Sequence, residues 1–304
     1  MDVENGIWSN RIVKFSAPLF ALASMFSVQL GIGLSTHLFD AVGPAGVAFL
    51  RIALGAIVLL VIVRPKLRGL SRSSLLATAL LGVSTAILTL AFTEAVARIP
   101  LGMASTIEFL GPLAVAAIRT RKRSNLVWPV LALIGVVTLT RPWLGQVDLV
   151  GILFAALAAC CWAAYIVLTQ KVGDAIEGFQ GLALSMTVAA ITLAPFGAVA
   201  AVSGFTPEIG LQALGLALLV PVIPFALELM ALRRMTLPAF GTLMALEPGI
   251  ATVIGVVLLA QAPDVLQVVG LVLVVAAGIG AQRTGGRRTP VPAPDPSVPA
   301  PAPS

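Results

Sequence analysis

The chain has 304 residues, of which 59% are hydrophobic and 11% charged, with a formal net charge of +6 and a mean hydropathy of +1.04. So little polar surface excludes a soluble globule of this size and identifies an integral membrane protein. The basic excess forms no nucleic-acid motif and sits where loops beside anionic lipid would carry it.

A helix needs about 20 apolar residues to cross a ~30 Å hydrocarbon core, with every backbone polar group satisfied inside the segment. In chain order the apolar runs cover residues 17–36, 44–63, 74–94, 100–118, 125–140, 149–169, 179–201, 209–230, 236–259 and 264–282. They predict an all-α integral membrane fold of ten transmembrane helices. Ala21-Leu22-Ala23 has the look of a signal-peptidase site, but apolar sequence continues to Leu38, so the first run reads as an uncleaved span. The tail from Pro290 to Ser304 alternates proline with small residues and reads as disordered.

Lysine and arginine gather in every second gap: Arg64 to Arg72, Arg119 to Arg123, Lys171, Arg233 with Arg234, and Arg283 to Arg288, with Arg11 and Lys14 ahead of the first span. Only Arg98 and Arg141 fall in the other gaps, and Arg51 lies inside a span. Positive residues beside spans stay cytoplasmic, so this pattern predicts both termini inside.

A shift of 135 aligns Ala21, Leu22, Ala23, Gly43, Gly46 and Ala48 with Ala156, Leu157, Ala158, Gly178, Gly181 and Ala183. One further residue of shift aligns Arg98, Thr106 and Pro112 with Arg234, Thr242 and Pro248. The pattern predicts a five-helix duplication, with one repeat over residues 1–144, a second over 145–284 and the tail over 285–304. Because five is odd, the second copy enters from the opposite side, giving the inverted repeat of a secondary transporter.

Counting ~1.5 Å per residue puts Glu108 about 12 Å below the outer face and Glu247 about 14 Å below it. A charge at such depth costs about 3 kcal/mol on insertion scales and normally faces protein or water. The pair suits a substrate ammonium or a transported proton, or alternatively a structural hydrogen bond between helices. Arg51, ~10 Å deep, suits three roles: holding a substrate carboxylate, neutralising Glu108, or snorkelling to the headgroups. Gln29 reaches a similar depth and would add an amide. Glu94 and Glu228 are expected at the interfaces, Glu228 beside Arg233 and Arg234, and His37 in solvent. Trp162 and Tyr165, one turn apart, suit stacking on a substrate or aromatic packing. Pro112, Pro248, Pro221 and Pro224 would kink their helices. Cys160 and Cys161 read as buried packing residues, since two adjacent thiols complete no metal site.

The segments Pro100-Leu-Gly-Met-Ala, Glu108-Phe-Leu-Gly-Pro112, Cys161-Trp162-Ala-Ala-Tyr165, Leu227-Glu228 and Phe240-Gly-Thr-Leu-Met-Ala-Leu-Glu247-Pro248 resemble the EamA-type family of the drug/metabolite transporter superfamily, in its threonine/homoserine exporter branch. The resemblance runs from about Ser16 to Gln282. It implies a ten-helix inner-membrane exporter of small amino acids or related metabolites, with the motif falling on Glu108, Glu228, Glu247, Trp162 and Tyr165. Coupling to protons through a carboxylate that also meets the substrate is the expected mechanism, with no cofactor and no metal.

Other functions fit less well. The chain has no Walker-type loop for an ATP-driven pump, and no H-E-x-x-H pair or deep Ser/His arrangement for an intramembrane enzyme. A non-transporting scaffold needs no two-sided equivalence. Within transport, another small metabolite or an amphipathic drug is the alternative cargo.

Overall fold

The computed structural model describes residues 3–66, 70–118, 127–141, 148–176, 179–232 and 237–284. The proline-rich tail, Gly178, and the loop basic residues Arg68, Arg119, Arg121, Lys122, Arg123, Arg233, Arg234, Arg287 and Arg288 lie outside the described residues.

Among the described residues every regular element is helical: α1 (Val3–Ser35), α2 (Phe39–Val63), α3 (Arg72–Val96), α4 (Leu101–Glu108), α5 (Leu110–Ile118), α6 (Val127–Thr140), α7 (Leu149–Ala175), α8 (Gln180–Ser203), α9 (Pro207–Ala217), α10 (Ile223–Leu232), α11 (Leu237–Met244), α12 (Glu247–Leu259) and α13 (Val265–Thr284). A π-helical segment, Leu218–Val222, joins α9 to α10. Five stretches, Pro18–Val63, Arg72–Val96, Leu149–Ala175, Gln180–Ser203 and Thr242–Leu259, are long and apolar enough to cross a membrane. Large apolar side chains such as Ile62, Val199 and Val265 face outward, as lipid rather than water requires.

The 46 residues of Pro18–Val63 would measure about 69 Å as one helix, more than twice a ~30 Å core. They are not one crossing. The run breaks at a 3-10 turn over Thr36–Leu38 and again at Gly43, whose φ of +67° before Pro44 needs a residue without a β-carbon. At the other end α1 begins at Val3, well before residue 17, because the polar lead-in contains no proline and simply continues the helix. Elsewhere hydroxyl and carboxylate caps start the helices: Ser71 accepts from Ser74 N–H, Asp148 from Val150 and Gly151, and Thr206 from Ile209.

Two of the expected spans are each split in the middle. Residues 100–118 divide into α4 and α5 at Phe109, and residues 236–259 into α11 and α12 at Ala245 and Leu246. Proline supplies the cause: Pro112 has no N–H for the carbonyl of Glu108, and Pro248 none for that of Met244. The run 209–230 is continuous but changes pitch at the π segment around Pro221.

Helix α2 packs along α8, α3 along α7 and α8, and α6 along α13, while α1 lies against α10, the π segment and α12. Helices α4 and α12 cross each other. The α6/α13 contact is backbone against backbone. A β-carbon on Gly270 would stand 2.6 Å from the carbonyl oxygen of Gly135, and one on Gly135 would stand 2.8 Å from that of Gly270. Only small residues allow that approach. The cysteines differ from expectation: Cys160 is exposed and Cys161 half-buried, because α7 is apolar on all sides and one of its faces meets lipid.

Candidate functional site

The breaks in the two split helices bring their acids inward. Glu108 is the last residue of α4 and Glu247 the first of α12, 8% and 6% exposed respectively. Each carboxylate lies within electrostatic reach of other buried groups: Glu108 of both Glu247 and Arg51.

Gln29, on α1 and 1% exposed, donates from Nε2 to Glu247 Oε1 at 3.1 Å. With Glu247 ionised, that bond fixes the amide, since turning it over would set Gln29 Oε1 against a carboxylate oxygen. Arg51 enters from α2 and is 3% exposed. Its Nε and Nη1, together with Gln29 Oε1 and Glu247 Oε2, are buried with no hydrogen-bond partner. An isolated guanidinium in a protein interior is costly, and Arg51 is tolerated there through its attraction to Glu108. Of the roles open to Arg51, snorkelling is removed by its burial.

A second polar group lies behind the first. Glu228 on α10 accepts a 3.0 Å hydrogen bond from Ser24 of α1 and is within electrostatic reach of Glu247 and of Tyr165 on α7. Glu228 was expected at the interface because Arg233 and Arg234 follow it in the chain. The structure turns it instead toward α1, into the bundle. Tyr165 also lies within reach of Thr169 one turn on and packs against the cluster of Leu81, Val172 and Ile176. Trp162 packs against the buried cluster of Phe109, Ala245 and Val274, which holds one residue from each of the two helix breaks. Glu94 pairs with Arg98 on the surface, and His37 is exposed, as their positions near helix ends suggested.

Three contributors were missed in the sequence. Ser24 and Ser27, three apart in an apolar run, share one face of α1, and that spacing was the available signal. Ser27 donates to the carbonyl of Leu219 at 2.7 Å. Phe109, fully buried at the α4/α5 break, gave no signal among many apolar residues.

Two openings lie away from this cluster. One, of about 200 Å³, is lined by Pro100, Gly102, Thr252, Gln261 and Pro263 beside the α4/α12 crossing, where Gln261 Oε1 accepts from Leu101 N–H at 2.9 Å. The other, of about 340 Å³, is lined by Ser71, Ser74, Leu168 and Lys171 between α3 and α7.

Known proteins match this chain closely. Residues 149–280 match the EamA-like transporter family. The threonine/homoserine exporter RhtA of Salmonella typhimurium strain LT2 is 35% identical over 272 residues, covering 88% of this chain and 91% of the relative. RhtA of Escherichia coli K12 is 35% identical over 268 residues, covering 86% and 90%. A protein crystal structure shares the fold at a TM-score of 0.57 and 19% identity, over 88% of this chain and 96% of its own. The two RhtA relatives are named as exporters, not as enzymes. With its apolar helices, its outward-facing aliphatic surface and this likeness over most of its length, the chain belongs to the EamA-like transporter family and is a multi-pass membrane protein.

Proposed function

We propose that the protein is a secondary active exporter of small amino acids of the threonine/homoserine kind, coupled to protons and working by alternating access. The observation that carries this reading is the cluster of Gln29, Arg51, Glu108 and Glu247, buried where two split helices break. Discontinuous helices around a polar centre are how transporters build a mid-membrane site, and the names of the relatives supply the cargo class.

The architecture behind it is ten helices in two inverted five-helix repeats, residues 1–144 and 145–284, in the inner membrane with both termini cytoplasmic. Several packing features support the repeat. The α3/α7 pairing has its counterpart in α10 with α1, while α2/α8 and α6/α13 each pair an element with its own equivalent, and α4/α12 joins the first half of one split helix to the second half of the other. Gly135 and Gly270, 135 residues apart, touch each other's backbone, as residues near a two-fold axis would. The splits at Phe109 and at Ala245 fall 136 residues apart, the offset that aligns Pro112 with Pro248. The burial of all four polar residues fits an occluded stage, between states open to either side.

Proton coupling follows from chemistry. A buried carboxylate binds either a proton or a cationic ammonium, and each displaces the other. Glu247 and Glu108 are the groups placed to do this, with Glu228 as a further carboxylate on the same path. The test is labelled threonine efflux from proteoliposomes under an imposed pH gradient. Efflux accelerated by protons entering the vesicle in exchange supports the reading; threonine flux indifferent to the gradient removes the coupling, and absence of amino-acid flux removes the export assignment.

A further inference from the structure

We infer that the unanswered atoms of the buried cluster divide one substrate between them: Arg51 Nε and Nη1 hold its carboxylate, Glu247 Oε2 its ammonium, and Gln29 Oε1 accepts the hydroxyl of its side chain. The inference rests on the amino-acid export reading above and assigns the residues that set its specificity.

The hydrogen-bonding capacity left open on these atoms defines what they would take. Arg51 offers one hydrogen on Nε and two on Nη1, and accepts nothing. Those atoms have no protein partner, so their complement is an anionic acceptor. Glu247 uses Oε1 for Gln29, which leaves Oε2 as a buried acceptor beside a second carboxylate, Glu108; its complement is a cationic donor. Gln29 spends a donor on Glu247, and with Glu247 ionised its Oε1 is an acceptor left open, for which an uncharged hydroxyl donor suffices.

Smaller candidates leave part of the inventory unmet. A proton answers Glu247 and neither of the others. An amine answers the acids and leaves Arg51 bare. A zwitterion with an alkyl side chain answers Arg51 and Glu247 but reaches Gln29 Oε1 only by spending on it an ammonium N–H that the two carboxylates would otherwise take. A zwitterionic amino acid with a side-chain hydroxyl answers all three. Burial sharpens the discrimination, because a site built to meet a hydroxyl rejects the analogue lacking it through its own stranded acceptor. Arg51 answers to no carboxylate by direct hydrogen bond from Nε or Nη1, although Glu108 attracts it, so those donors are held in place without being consumed.

The experiment is counterflow of labelled threonine into proteoliposomes loaded with unlabelled threonine, with competitors added outside. Wild-type exchange is read first: if no amino acid exchanges, the export reading itself fails and the specificity question does not arise. Given exchange, three unlabelled compounds separate the assignments. Homoserine is expected to compete within a few-fold of threonine. 2-Aminobutyrate, which lacks only the hydroxyl, is expected to compete at least tenfold less well, and threoninol, which lacks the carboxylate, not to compete. Threoninol competing as well as threonine overturns the role of Arg51, and 2-aminobutyrate competing equally overturns that of Gln29. Neither result needs a variant to fold. For Gln29→Leu, the preference for threonine over 2-aminobutyrate is expected to collapse toward one. A tenfold preference surviving in that variant assigns the hydroxyl to some other group, or to water, and overturns the inference.

Discussion

Ser27 and Pro224 should be energetically coupled although they lie on different helices. In the π segment Ile223 N–H bonds the carbonyl of Leu218, and the next carbonyl, that of Leu219, would take its donor from residue 224. Proline there has no N–H. Ser27 on α1 fills the gap with a 2.7 Å bond to Leu219 O, and Gly31 one turn further lets α1 approach, since a β-carbon there would meet Val220 Cγ2 at 2.6 Å. Interhelical hydrogen bonds in membranes average about 0.6 kcal/mol and reach about 1.7. A carbonyl with no backbone alternative belongs toward the upper end, so Ser27→Ala should cost about 1 to 1.5 kcal/mol. That corresponds to a melting temperature lower by roughly 2 to 6 °C. Pro224→Ala restores an N–H and makes the hydroxyl redundant, so Ser27→Ala in that background should cost only a few tenths of a kcal/mol. Thermal unfolding of the four proteins in one detergent, followed by intrinsic fluorescence, closes the cycle. Additive losses would refute the reasoning, because they would show that Leu219 O does not depend on Ser27 for want of a donor at 224.

Gly270→Ala should destabilise by about 1 to 3 kcal/mol through overpacking, since its β-carbon would press on Gly135 O at 2.6 Å and Leu139 N at 2.7 Å; Gly173→Ala, with nothing within 4 Å, should be neutral or raise the melting temperature slightly. At the α13 N-terminus the Gln267 N–H donates to Asp264 at 3.0 Å and Arg141 pairs with the same carboxylate, which holds its carboxyl below the usual range. A depressed folded pKa contributes stability above the unfolded value near pH ~4 and loses it as pH falls through the folded one. Asp264→Asn keeps the cap and should remove that part of the acid sensitivity, seen as a flatter melting temperature below about pH 4. Glu247→Gln should abolish the response of threonine efflux to a pH gradient while leaving the protein folded, as measured by gel filtration and vesicle flux.

Positions of apolar runs were legible because lipid demands length and hydropathy, which are read along the chain. Orientation of each helix was not, because a helix apolar on every side has no polar face to mark its buried one. Cys160 shows the consequence: it turned out exposed where burial was expected. Glu228 shows another, since its sequence neighbours are arginines while its partner Ser24 is 204 residues away. Depth counting sets Glu108, Glu247, Arg51 and Gln29 at similar depth because rise per residue is nearly constant, and the structure joins two of them through the hydrogen bond from Gln29 to Glu247. It could not reveal that both acids sit at helix breaks or that the π segment leans on α1.

The two central carboxylates are not equivalent, and their partners reflect it. Glu247 opens α12, where the N-terminal N–H groups favour a negative charge by about 0.3 to 1 kcal/mol, and a neutral amide from Gln29 is enough beside it. Glu108 ends α4, and its own carbonyl lacks the donor that Pro112 cannot provide, so its surroundings are already negative. Arg51 is attracted by the charge of Glu108. Removing Arg51 therefore strands Glu108 in particular. Arg51→Gln should destabilise the protein by about 3 kcal/mol, as for one partner of a buried charged pair, read as a lower folded yield and melting temperature. Adding Glu108→Gln should restore most of the loss, because it removes the charge left without compensation, whereas adding Glu247→Gln should restore little. Equal rescue by both second changes would mean that the cluster responds only to its net charge, and the separate pairing of Arg51 with Glu108 would have to be abandoned.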